Sequence, residues 1–297
     1  MIQKNNYKAY LYLLPAFLFL CVFMLYPLVD VFIYSFEENF LFVSQEYTGI
    51  GFYNYKYVLT DPYFLSAVKN TLLLVIITVP ISTIIAILIA VGLNSIKPLK
   101  KLFETIFFLP YVTNTLAVGL VFMVIFDKTV YTNGIANIIL GLIGVSPIDF
   151  IDGPYAAKLF VLSFYVIWNV MPFKIIVLVG ALQSVKKEYY DAAKIDSASR
   201  FRMFRKITVP LISPMISYLV ITGFIGAFKE YNNAVALFGT DLDSKGMNTI
   251  VGYVYNMLYS ETGGSPSYAS AAAIILFLIV LTITCINLLV SKKKVHY

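Results

Sequence analysis

Six long apolar runs punctuate the chain, at residues 10–36, 70–95, 103–127, 156–182, 209–230 and 268–290. The hydrocarbon core of a bilayer takes about 20 predominantly apolar residues of helix. These runs are continuous rather than alternating, and open sheet edges are forbidden in lipid, so they read as helices and not as barrel strands. The pattern predicts an all-α integral membrane protein with six transmembrane helices. Between the runs, 37–69 and 128–155 are aromatic and contain Gly and Pro, and read as short external helices. Residues 239–267, with Gly239, Gly246, Gly263, Gly264 and Pro266, read as irregular. No low-complexity tract is present, and no internal repeat strong enough to argue an inverted-repeat transporter.

Composition agrees. Sixty per cent of residues are hydrophobic and 13% charged, with mean hydropathy +0.82; soluble domains carry about a quarter charged residues. The first run follows Lys4 and Lys8, as in a signal peptide, but it continues to about Phe36 without a small-residue cleavage site and is expected to stay. With the N-terminus inside, fifteen Lys and Arg fall on inside segments: two ahead of the first run, three at 97–101, seven in 183–208 and three in the tail at 292–294. Lys56, Lys69, Lys128, Lys229 and Lys245 make only five outside. That bias predicts cytoplasmic N- and C-termini. The net charge of +6 then reflects cytoplasmic loops rather than nucleic acid. Cys21 and Cys285 lie in apolar runs and read as small hydrophobes, and the single His296 is terminal. No catalytic or metal site is therefore expected, and no cofactor bound by this chain.

The polar segment 183–211 stands out. Tyr189, Ala192 and Ala193 share one helical face on which another surface can approach closely. Ser197 breaks that helix, and Ser197 or Ser199 can cap a second piece carrying Phe201 and Phe204 on one face, with Arg200, Arg202 and Arg205 solvated. Pro210 stops the segment and suits the first turn of the next membrane helix. The whole has the shape of a docking element, the alternative being a basic loop held to anionic lipid. The chain has no G-x-x-x-x-G-K-[ST] phosphate loop.

Tyr190-Asp191-Ala192-Ala193-Lys194-Ile195-Asp196-Ser197-Ala198-Ser199, with Phe204, Ile207-Thr208-Val209-Pro210-Leu211 and Pro214, resembles the EAA loop. That loop marks the membrane subunits of binding-protein-dependent ABC importers, here of the carbohydrate-uptake group. Leu14-Pro15-Ala16, Tyr26-Pro27, Asn54-Tyr55, Asn70-Thr71, Phe107-Phe108-Leu109-Pro110-Tyr111 and Gly180-Ala181-Leu182-Gln183 resemble the first-subunit, maltose and multiple-sugar type over nearly the whole chain. Asp191 stands where the family usually has Glu, and Ser197 where it has Gly. These departures leave the loop's geometry open, since Ser disfavours the positive φ that Gly permits.

The resemblance implies a type I ABC importer permease fold: a first helix within 1–36 packing around a partner permease, a five-helix core at 70–290, a coupling loop at 183–208 and a basic tail at 291–297. It implies that Glu188, Tyr189, Asp191, Ala192, Ala193, Ser197, Phe201, Phe204 and Pro210 couple the permease to an ABC ATPase dimer that carries ATP and Mg. The further partners it implies are a second homologous permease subunit, an extracellular solute-binding protein and a carbohydrate, with oligosaccharides expected.

Two constellations fall within the spans. Lys174 lies about 12 Å inside its helix at 1.5 Å per residue, too deep for easy snorkelling. It reads either as a functional group or as a partner-facing structural lysine paired with a carboxylate. Trp168-Asn169 and Phe228-Lys229-Glu230-Tyr231-Asn232-Asn233 combine aromatic and hydrogen-bonding groups, as sugar binding needs; an interfacial aromatic belt with a helix cap is the alternative. By resemblance Val166, Val170 and Phe173, with Ala227, Glu230 and Tyr231, face a translocation chamber. Asp30, Glu104 and Lys158 read as interfacial. A second class, an ion-gradient-driven secondary transporter of a small solute, would need paired intramembrane carboxylates; only Asp30 and Glu104 are candidates.

Overall fold

The computed structural model describes residues 6–42, 44–96, 100–129, 133–259 and 265–294. Lys4, Lys97, Gly263, Gly264 and His296 lie outside them, as does the side chain of Glu104. In chain order the helices are α1 (Asn6–Leu20), α2 (Tyr26–Tyr34), α3 (Tyr53–Thr60), α4 (Pro62–Ser95), α5 (Lys100–Phe108), α6 (Thr115–Phe126), α7 (Ile135–Leu142), α8 (Tyr155–Ser184), α9 (Lys187–Ile195), α10 (Arg200–Met203), α11 (Val209–Phe228), α12 (Asn232–Phe238), α13 (Ile250–Tyr259) and α14 (Pro266–Lys294). A two-residue antiparallel pair, β1 (Glu37–Glu38) with β2 (Gly49–Ile50), is the sheet found among the described residues. Among the described residues, five unbroken helices are long and apolar enough to cross a membrane, and a sixth candidate is a bent pair.

Two spans run through prolines on the same device. The turn Cys21–Leu25 between α1 and α2 is π-helical, and the Tyr26 N–H reaches back five residues to the Cys21 carbonyl. The turn Phe204–Thr208 between α10 and α11 repeats it, Val209 N–H donating to the Phe204 carbonyl. A proline follows each, Pro27 and Pro210. Proline has no N–H and its ring crowds the carbonyl four residues back; one widened turn shifts that carbonyl away and lets the helix continue. Pro210 is therefore no stop: a single helix runs from Arg200 to Phe228.

The third predicted span departs from expectation. Instead of one helix over 103–127, α5 ends in a 3-10 turn at Leu109–Val112, and the chain bends by 107° before α6. Pro110 tightens the turn, Thr113 is extended, and Asn114 starts a new helix by accepting from the Leu116 N–H at 2.8 Å. The short external helices expected in 37–69 and 128–155 are α3 and α7. The stretch 239–267 is irregular only to Thr249; α13 follows.

The chain divides into two compact units, Met1–Leu65 with Tyr253–Leu278, and Ser66–Gly252 with Ile279–Tyr297. In the first, buried Asn54 donates to the Ser35 and Glu37 carbonyls, both at 3.0 Å, and Tyr253 hydroxyl donates to Asp61 at 2.6 Å. Its long helix Tyr10–Tyr34 has none of its apolar window buried. In the second unit, α12 packs on α6 and α8 around Leu74, Phe122, Tyr165, Ala234 and Leu237. Ala86 and Ala90 of α4 bury against Ile175 and Leu178 of α8. Lipid tails are as apolar as the side chains, so these helices are held by close packing and buried polar contacts. Asn70 is one such contact: it donates to the Gly246 and Asn248 carbonyls at 3.0 and 2.9 Å and accepts from the Tyr155 hydroxyl at 2.8 Å.

Candidate functional site

A cavity of about 340 Å³ opens within the second unit, walled by α4, α8, α11 and the turn before α6. Six of the eight residues expected to face a translocation pathway line it: Val166, Val170, Phe173, Lys174, Ala227 and Glu230. The helical spacing on α8 places the first four on one side. Opposite, Gly223 and Gly226 of α11 keep the wall low; a Cβ at Gly223 would come 3.4 Å from Lys174 Nζ. The wall is largely apolar, with Thr78, Ser82, Asn169, Thr222 and Tyr111 supplying hydroxyls and an amide. Asn169 was singled out in the sequence with Trp168, and Tyr111 only as a point of resemblance; Thr78, Ser82 and Thr222 were missed, though Thr78 and Ser82 stand at helical i, i+4 spacing within an apolar run.

Trp168 and Tyr231 do not line the cavity. Both pack on the core cluster around Phe122, the Trp168 ring 5.4 Å from that phenyl ring. Trp168 stands two positions from Val166 and from Val170, which turns its ring to the opposite side of α8. Glu230 combines both of its anticipated roles. Its Oε1 accepts from the Asn233 N–H at 2.9 Å, capping α12, while Oε2 accepts from Asn233 Nδ2 at 2.8 Å. Asn169 Nδ2 in turn donates to Asn233 Oδ1 at 2.9 Å. This relay fixes the carboxylate at the cavity wall and ties α12 to α8.

Lys174 is buried, and its ammonium donates to Ser82 Oγ at 2.7 Å and Thr83 Oγ1 at 2.9 Å on α4. No carboxylate of this chain lies within ion-pair reach of it among the described residues. Lys158 donates to the Lys245 carbonyl at 2.5 Å, and Lys245 pairs with Asp152. Asp30 is half-buried, in the first unit.

The polar segment folds as α9, a break, and α10. Glu188 sits in the first turn of α9 and Lys194 in the last, each complementing the helix dipole. Lys194 donates to Asp191 at 3.0 Å, which holds that carboxyl below the usual carboxylate range. The break is a Schellman motif. Ala198 N–H reaches the Ala193 carbonyl at 2.9 Å and Ser197 N–H the Lys194 carbonyl at 3.0 Å. Ser197 holds the left-handed position, φ +54°. Ser199, not Ser197, caps α10, accepting from the Arg202 N–H at 3.3 Å. Tyr190 hydroxyl meets Thr208 Oγ1 at 3.0 Å and anchors α9 to the membrane helix. Tyr189, Ala192 and Phe201 are exposed, Ala193, Phe204 and Pro210 half-buried. Ile195, not singled out beforehand, is 85% exposed and Phe201 71%.

A left-handed non-glycine residue costs about 1–2 kcal/mol. Ser197→Gly is therefore expected to keep this break intact, and Ser197→Val, whose branched carbon resists positive φ, to open it. Amide exchange at Ala198 measures the difference: slow in wild type and glycine variant, faster in the valine variant.

Residues 82–295 match the family described as binding-protein-dependent transport system inner membrane component. The arabinooligosaccharides transport system permease protein AraP of Bacillus subtilis (strain 168) is 31% identical over 98% of this chain and 90% of its own. The lactose transport system permease protein LacF of Rhizobium radiobacter is 29% identical over 97% of this chain and 95% of its own. The crystal structure of a bacterial ABC transporter involved in the import of the acidic polysaccharide alginate shares the fold, with TM-score 0.81 at 23% identity over 98% of this chain and 96% of that one. The chain belongs to the binding-protein-dependent transport system inner membrane components, multi-pass proteins of the cell membrane.

Proposed function

We infer that the protein is the permease subunit of an ATP-driven, binding-protein-dependent importer of a carbohydrate, with an oligosaccharide the expected cargo. The similarity to sugar permeases along 98% of the chain carries this reading. The cavity supports it, because hydroxyl, amide and carboxylate groups set in an apolar wall suit sugar hydroxyls and ring faces. The permease does no covalent chemistry. ATP and its Mg belong to a partner ATPase dimer, and a second homologous permease completes the pathway. The polar segment 183–208 is the coupling element, through Glu188, Tyr189, Asp191, Ala192, Ala193, Ser197, Phe201, Phe204 and Pro210. Closure of the ATPase favours one arrangement of the helices by contacting this segment differently in the two states. The core spans 70–290, the helix within 1–36 packs on the partner permease, and both termini, including the basic tail 291–297, face the cytoplasm. No nucleic acid is involved.

Uptake into proteoliposomes holding the whole complex tests this. Accumulation is expected only with ATP on the ATPase side and loaded binding protein on the other. Accumulation driven by an ion gradient without either would replace this reading with the secondary transporter.

A further inference from the structure

The cavity contains a buried ammonium that pairs with no carboxylate among the described residues. Lys174 is 4% exposed, and its Nζ donates to Ser82 Oγ, Thr83 Oγ1 and, at 3.5 Å, the Val79 carbonyl. All three acceptors are neutral. The two hydroxyls give their own hydrogens to the Thr78 carbonyl, at 2.5 Å, and the Val79 carbonyl, at 2.7 Å, so their lone pairs are left for the lysine. The carboxylate on the cavity wall, Glu230, has both oxygens held by Asn233. It follows the end of α11, seven residues beyond Gly223, whose missing side chain makes room for Lys174 Nζ. The ammonium and this carboxyl group thus line the same cavity without forming an ion pair.

Hydrogen bonds to hydroxyls offset part of the cost of burying an ammonium, but not the cost of leaving its charge uncompensated. An anion brought by the cargo would compensate it. We propose that the Lys174 end of the cavity takes the carboxylate of a uronic-acid unit, with Lys174 as a specificity-determining residue. This rests on the reading of the protein as a carbohydrate permease. The third ammonium hydrogen, held only by the long contact to Val79, is the one free to turn to the cargo.

The test uses the complete transporter in proteoliposomes and a pair of oligosaccharides of equal length, one neutral and one bearing a uronate. The cognate binding protein must first retain the uronate sugar; if it retains only the neutral one, the proposal is overturned. Lys174→Met is expected to lower uronate uptake about tenfold, the scale of one charge-assisted contact, and neutral uptake less than about twofold. Lys174→Arg is expected to keep most of the uronate uptake. Equal loss of both sugars, with or without loss of the partner permease, would make Lys174 a structural clamp or the mate of a partner carboxylate and overturn the proposal. Unchanged uptake of both would do the same. Failure of the wild type to import any sugar with ATP and binding protein would instead remove the permease reading, so the two failures are separable.

Discussion

Replacing Ala193 with tryptophan is expected to abolish ATP-driven uptake while leaving the protein in the membrane. Ala193 is half-buried on α9, beside Ala198, Met203 and Ile207 on the wall of a small cleft, and its carbonyl receives the Ala198 N–H that closes the break after α9. An indole there either forces α9 away from α10 or projects from the face that also carries Tyr189 and Ala192. Overpacking of this kind costs about 1–3 kcal/mol. The larger loss comes at the partner surface. Ile195 and Phe201 stand 85% and 71% exposed on either side of the break. Covering each contributes about 1.5–3 kcal/mol, or about one to two orders of magnitude in affinity. Displacing both would detach the ATPase. Co-purification of the ATPase and uptake are the two readouts. Loss of uptake with the ATPase retained would mean that α9 acts as a lever as well as a seat. Survival of both would remove the docking role.

What could be read in the sequence was whatever local chemistry decides. The apolar runs dictate helices because lipid leaves the backbone no other partner. Ser197, at the position that the resemblance assigns to Gly, occupies the left-handed conformation that glycine favours, and Ser199, one of the two caps read for the second piece, caps α10. Asn54 and Asn70, quoted only as points of resemblance, are buried hubs of carbonyl contacts. What depends on distant neighbours was hidden. Lys174 meets its partners Ser82 and Thr83 some ninety residues away in the chain, so its environment follows from packing alone. The bend at Thr113–Asn114 was written in Pro110 and Asn114, but the apolar stretches 106–109 before them and 116–126 after them outweighed those two in a window long enough to find a span. The π-helical turn before Pro210 shows the converse error: a proline taken as a stop is carried through when the preceding turn can widen.

The second large effect is expected at Gly119. This residue sits buried on α6 where α12 crosses it, and a Cβ there would overlap the Cβ, the carbonyl carbon and the carbonyl oxygen of Ala236. Two of those three atoms are backbone, so no rotamer change relieves the clash; α12 itself must move. Yet α12 is fixed at its start by the Glu230 carboxylate on the Asn233 N–H, and Asn233 is joined to Asn169 of α8. A shift of α12 therefore pulls on the cavity wall. Gly119→Leu adds four carbons to this contact and is expected to exceed the usual overpacking cost of about 1–3 kcal/mol, so that little folded protein reaches the membrane. Gly119→Ala is the informative variant. It should accumulate, melt earlier in detergent, and transport more slowly, because Glu230 no longer sits where the cavity needs it. Removing the opposing Cβ with Ala236→Gly should restore only part of the loss, since the Ala236 carbonyl group stays in place. Full restoration would mean that side-chain contact alone sets the spacing of α6 and α12, and wild-type melting and uptake in Gly119→Leu would mean that these two helices do not touch as described.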